Sequence, residues 1–207
     1  MRALILVDIQ NDFLPGGALG VPHGDEVVPV ANRLQPGFDL VVATQDWHPP
    51  GHGSFASTRP GRKPGELAEL AGLPQVLWPD HCVQGTPGAA FAPGLEMNRV
   101  EAILRKGTDP AIDSYSGFFD NGQRKSTGLS DYLRGRGATD VYVLGLATDY
   151  CVKFTALDAV RLGFRTFLVQ DGSRGVELRP GDVARALDQA RNGGVEVVQS
   201  SEVRSER

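Results

Sequence analysis

The chain has 207 residues, a length that suits one α/β domain whose core needs no covalent staples. Asp and Glu outnumber Lys and Arg by 25 to 21, with both signs scattered, so no basic stripe is available to neutralise phosphates or lie on anionic lipid. No apolar run reaches the roughly 18 to 20 residues that span a bilayer, which argues against a membrane protein as the charge argues against a nucleic-acid partner.

In chain order, short β-branched runs alternate with segments of helical period, the pattern of a parallel sheet with helices on both faces. The first run, ALILVDI (3–9), is followed by a predicted helix from Asp25 to Leu34 and a second strand, DLVVATQ (39–45). A third strand, VEAILRK (100–106), precedes a helix from Ser126 to Arg136, and DVYVLGL (140–146) precedes a helix from Thr148 to Gly163. In that last helix Leu157, Val160 and Phe164 have the spacing of one apolar face. RTFLVQD (165–171), a helix from Leu178 to Asn192 and VEVVQ (195–199) complete the series, and the polar tail SSEVRSER is expected to fray. Each strand is apolar on both faces, as buried parallel strands are. The expected fold is therefore an α/β three-layer sandwich with an approximately six-stranded, mostly parallel sheet, one domain over residues 1–207.

Residues 46–99 break the pattern. They carry many Gly and Pro, three of the four histidines and both tryptophans, and a connection that long inside a compact domain is usually functional. Ligands of parallel sheets bind beyond the carboxyl ends of the strands, which directs attention to Asp8, Asp46, Lys106 and the turn after DVYVLGL. The two cysteines, Cys82 and Cys151, are far apart, and the opening MRALILVDIQ leads into a strand rather than a signal peptide, so a cytosolic setting with free thiols is expected.

Cys151 follows its strand through a short turn and opens a helix for which Thr148 or Asp149 is a candidate N-cap. Helix N–H groups and the dipole there would lower a thiol pKa, and could hold an oxyanion. Alone, such a cysteine is as readily a small core residue. Asp8 ends the first strand and Lys106 the third, so both point toward the same sheet edge as Cys151 and could take the thiol proton and stabilise the thiolate, although singly an aspartate after a strand often caps a turn and a lysine is often solvated. Asp46 and His48, two apart in an extended segment, point the same way, and His81 is a natural third ligand. An Asp/His/His set suits one divalent metal ion, zinc first, with iron or manganese as alternatives. His52 is a further candidate ligand; Cys82 reads as core and His23 as a solvated loop residue. No G-x-G-x-x-G lies between a strand and a helix, so no NAD or flavin is expected.

Five segments carry a more specific message: LVDIQNDF (6–13), TQDWHP (44–49), WPDHCVQGTPG (78–88), RKGTDPAIDSYSGF (105–118) and GLATDYCV (145–152). In this order they resemble nicotinamidases (pyrazinamidases) of the isochorismatase-like cysteine hydrolase superfamily, over nearly the whole domain. The resemblance implies a triad on Asp8, Lys106 and Cys151, an oxyanion hole from the N–H groups of Ala147 and Cys151 with a cis peptide before Ala147, and a metal that holds the pyridine nitrogen. It implies hydrolysis of nicotinamide to nicotinate and ammonia through a thioester, cleavage of pyrazinamide, and a role in NAD salvage. Phe13, Trp78 and Tyr115 lie within the matched segments and suit a slot for a flat ring, or ordinary core packing. Isochorismatases proper lack the cysteine, and relatives acting on N-carbamoyl or ureido compounds generally lack the D-x-H pair. Monomer and homo-oligomer both remain open.

Overall fold

The computed structural model describes residues 1–203. The strands are β1 (Arg2–Val7), β2 (Leu40–Asp46), β3 (Leu67–Leu70), β4 (Leu73–Val76), β5 (Val100–Lys106), β6 (Asp140–Leu146), β7 (Arg165–Arg174) and β8 (Glu196–Val198). Six of them form one sheet in the order β5-β2-β1-β6-β7-β8, and every pairing in it is parallel. The helices are α1 (Val27–Leu34), α2 (Leu129–Gly135), α3 (Lys153–Arg161) and α4 (Asp182–Asn192).

Alternation along β1 builds both layers of the core. Ala3, Ile5 and Val7 face a cluster that includes Leu129 and Leu133 of α2, Ala156 and Ala159 of α3, and Leu187 and Ala190 of α4. Leu4 and Leu6 face the opposite cluster with Val27, Val30, Ala31 and Leu34 of α1. Because both faces are covered, β1 is apolar from Ala3 to Val7 and β2 from Leu40 to Ala43, as the sequence pattern requires. Strand β5 departs from the expectation of two buried faces: it lies at the sheet edge, and Glu101, Ile103 and Arg105 are exposed on alternate positions.

Three local expectations change. The 46–99 connection contains an antiparallel hairpin, β3 with β4, which its weak period did not reveal. The helix expected from Thr148 begins with one π-type turn, Thr148–Val152, before α3. The tail is ordered further than expected, since Ser200–Glu202 forms a helical turn fixed by Ser200 hydrogen bonds to Asp171; the remainder of that tail, 204–207, lies outside the described residues. No helix among the described residues is long and apolar enough to cross a membrane.

Gly145 shows how tightly the carboxyl edge is built. It has φ +129°, pairs with Val7 on β1, and a Cβ added there would lie 2.1 Å from the Val7 carbonyl oxygen. No side chain fits between these backbones. Gly145→Ala is expected to lower stability by more than about 2 kcal/mol, read as a lower urea midpoint at unchanged m-value; an unchanged midpoint would refute the close-approach argument.

Candidate active site

The carboxyl ends of β1, β2, β5 and β6 converge, and the chemistry converges with them. Asp8 follows β1 with φ +48° and is fully buried. Its Oδ1 accepts a 2.6 Å hydrogen bond from the Thr44 hydroxyl of β2, and its Oδ2 lies 2.8 Å from the Lys106 ammonium. Lys106, the last residue of β5, also donates to Asp46 Oδ1 at 3.0 Å and to the Ser114 carbonyl at 2.9 Å, and its Nζ is 3.4 Å from Cys151 Sγ. The structure thus brings Asp8, Lys106 and Cys151 together. It adds a link that strand-end reasoning did not provide, because Lys106 joins Asp8 to Asp46.

Burial pushes the Asp8 carboxyl above the usual aspartate range, even against the pull of Lys106. Burial would lower Lys106, but the charges of Asp46 and Asp8 outweigh it and keep the ammonium protonated. For Cys151 the sequence argument from the helix terminus points the wrong way: burial drives its thiol well above the ordinary value, and Lys106 only partly offsets this. Asp8 also acts on the thiol through its charge and a side-chain hydrogen bond. The resting pair is therefore a thiol beside a carboxylate of raised basicity, suited to proton transfer on attack.

The N-cap expectation also fails. Neither Thr148 nor Asp149 caps the turn; Asp149 instead accepts hydrogen bonds from the backbone N–H groups of Val176 at 3.0 Å and Glu177 at 2.8 Å, tying the loop after β7 to the cleft. The peptide between Leu146 and Ala147 is cis.

Asp46, His48 and His81 lie close enough for one ion to bridge their ligand atoms. His48 Nδ1 is 2.9 Å from the Gly107 carbonyl and His81 Nδ1 is 2.8 Å from the Pro79 carbonyl. A carbonyl can only accept, so each Nδ1 carries a proton, and each Nε2 turns toward Asp46 Oδ2, at 3.0 Å for His48 and 3.4 Å for His81. One carboxylate and two Nε2 atoms turned toward it form a ligand set whose chemistry fits a divalent metal. Burial would raise Asp46, but the charges of His48 and Lys106 outweigh it and hold its carboxyl well below the usual range.

His52 stands apart. Its Nε2 donates to the Asp109 carbonyl at 2.8 Å, and its Nδ1 is 2.8 Å from the Ser54 hydroxyl, so neither nitrogen turns a lone pair toward Asp46. Its ring nitrogens instead lie nearer His48 and Asp113. Cys82 is buried, and His23 is exposed beside Glu26. Two residues of the first segment brace the candidate metal ligands from behind, and sequence reasoning missed both. Gln10 exchanges 2.8 Å hydrogen bonds with the Asp46 backbone, and Asp12 accepts the Cys82 N–H at 2.7 Å, next to His81. Their place within LVDIQNDF was the available signal.

A narrow cleft connects the two clusters. It is lined by Phe13, Trp78, Tyr115, Ala147, Tyr150 and Val176, with Asp46, His81 and Cys151 opening into it. Trp78 and Tyr150 meet edge to face with centroids 4.8 Å apart, and Tyr115 packs against both. Burial and the Asp113 charge raise the Tyr115 phenol well above its usual value, so it remains a neutral hydroxyl.

The Isochorismatase domain family matches residues 2–202. This chain belongs to that family. Among its relatives, the nicotinamidase of Escherichia coli (strain K12) is 53% identical over 190 residues, covering 90% of this chain and 89% of the relative. The solved structure of an Acinetobacter baumanii nicotinamidase/pyrazinamidase superposes with a TM-score of 0.95 at 46% identity, covering 98% of each chain. A pyrazinamidase of Pyrococcus horikoshii, solved in complex with zinc, gives 0.78 at 42% identity, covering 96% of this chain and 98% of that one. The isochorismatase-domain fold thus accounts for the six-stranded parallel sheet and its flanking helices, as the five segments implied.

Proposed function

We propose that the chain is an amidohydrolase that converts nicotinamide to nicotinate and ammonia, serves NAD salvage, and also accepts pyrazinamide. The observation that carries the reading is Lys106, whose ammonium touches Asp8, Asp46 and Cys151 at once and so places a nucleophile, a base and a metal-ligand set around one aromatic cleft.

Asp8 takes the proton of the Cys151 thiol as the sulfur attacks the carboxamide carbon. The negative charge that develops on the carbonyl oxygen falls to the backbone N–H groups of Ala147 and Cys151. The amide nitrogen takes the proton from Asp8 and leaves as ammonia, which yields the thioester. Asp8, again a carboxylate, deprotonates a water that attacks the thioester carbon; nicotinate leaves and the proton returns to sulfur. Lys106 stays protonated throughout, holding Asp8 in place and stabilising the thiolate. Phe13, Trp78 and Tyr115 hold the ring flat. Asp46, His48 and His81 would hold the divalent cation, zinc by analogy with the Pyrococcus relative, which when bound would supply a Lewis-acid site for the ring nitrogen and so orient the substrate. The two free cysteines suit a cytosolic setting.

The deciding assay is ammonia release from nicotinamide by protein of known metal content. His81→Ala, which leaves the Lys106 contacts intact, is expected to lose bound metal and to raise the KM for nicotinamide by at least about tenfold. Alkylation of its Cys151 by iodoacetamide should stay near the wild-type rate. Metal-replete wild type that releases no ammonia from nicotinamide would sink the substrate assignment, and an unchanged KM in metal-depleted His81→Ala would sink the ring-orienting role.

A further inference from the structure

Gln75 lies on β4 of the hairpin, whose first strand β3 is half exposed, yet Gln75 itself is only 2% exposed. Its side-chain nitrogen is 2.7 Å from the Val76 carbonyl, 2.9 Å from Asp113 Oδ2 and 3.0 Å from the Tyr115 hydroxyl. A carbonyl and a carboxylate only accept, so the amide presents its NH2 group here, two hydrogens shared among three oxygens. The Tyr115 hydroxyl also faces the indole N–H of Trp78 at 3.3 Å. Asp113 is buried, lines the same cleft and fixes its own loop by accepting the Ser114 N–H at 2.7 Å. One amide therefore joins the hairpin to the loop after β5 and, through the Tyr115 hydroxyl, to Trp78; both aromatic residues line the cleft with Cys151.

We propose that Gln75 is a positioning residue for the substrate ring: its amide locks Tyr115 and Asp113 into one wall of the cleft, which makes the β3–β4 hairpin part of the ring site. The inference rests on the nicotinamide reading above and deepens it. Gln75 lies outside the cleft lining and acts through Tyr115, so its loss should appear in ring binding and leave the nucleophile alone.

Two variants separate donation from packing. Gln75→Glu is nearly isosteric but turns an acceptor toward the Asp113 carboxylate, whereas Gln75→Met keeps length and loses the donor. Both are expected to raise the KM for nicotinamide about five- to tenfold, Gln75→Glu more, with kcat within about threefold of wild type. Iodoacetamide, a small reagent with no ring to place, should alkylate Cys151 in both at a rate within about twofold of wild type. Tyr115→Phe combined with Gln75→Met should raise the KM no further than the larger single effect, because the two act through one hydroxyl. An unchanged KM in both variants, an alkylation rate that falls in step with kcat/KM, or multiplicative effects in the double variant would each overturn the assignment. Wild type inactive on nicotinamide would instead overturn the parent reading, and this inference with it.

Discussion

Cys151→Ala is expected to lower kcat for nicotinamide by at least about 10⁴-fold, because removing a covalent nucleophile costs up to about 10⁶ in kcat and leaves only positioning and oxyanion stabilisation. The magnitude follows from what remains. Without sulfur, Asp8 has no thiol proton to take and no thioester can form. Nicotinamide binding should persist, because the ring contacts and metal-ligand set are untouched, so the Kd measured by calorimetry should stay within a few-fold of wild type. Asp8→Asn should be nearly as inactive, and the double variant no worse than either single one, since the two groups work as a unit. Activity above about one per cent in Cys151→Ala would mean that water attacks directly, and the thioester route would have to be abandoned.

The fold was legible wherever two-sided burial writes itself into composition. VEAILRK and DVYVLGL match β5 and β6 residue for residue, and β1, β2 and β7 shift by only a few positions. The catalytic candidates were legible for a topological reason, since Asp8, Lys106 and Cys151 lie at or just beyond the carboxyl ends of strands of one parallel sheet, all at the same edge. What stayed hidden depends on contacts between distant segments. The Lys106–Asp46 pair needs the register of β2 against β5, in which Asp46 pairs with Lys106, and strand assignment alone does not supply that register. The elevated Cys151 thiol depends on burial under side chains from several loops, which outweighs the helix terminus visible in the sequence. Asp149 looked like a cap because local sequence shows only its own turn, while its partners lie 27 and 28 residues onward.

Lys106→Met tests the junction itself. The ammonium has no exposed surface and is paired with two buried carboxylates, so its replacement leaves Asp8 and Asp46 facing one another through an apolar side chain. Breaking a buried ion pair by removing one partner costs about 3 to 5 kcal/mol, because the remaining charge keeps its desolvation penalty without its counterion. Here Asp8 loses its counterion and Asp46 keeps only its two imidazole neighbours, and a loss of at least about 3 kcal/mol is expected by urea unfolding in the presence of a chelator, with activity lost as well. The second variant decides the cause. Lys106→Met combined with Asp8→Asn removes one orphaned charge and should recover about 1 kcal/mol or more of the lost stability while recovering no activity. A double variant less stable than Lys106→Met would show that Lys106 acts chiefly by packing. Activity regained in the double variant would show that Asp8 is not the base. Stability and catalysis thus separate at one residue, because the charge that holds the two carboxylates in the core is the same charge that holds the base beside its thiol.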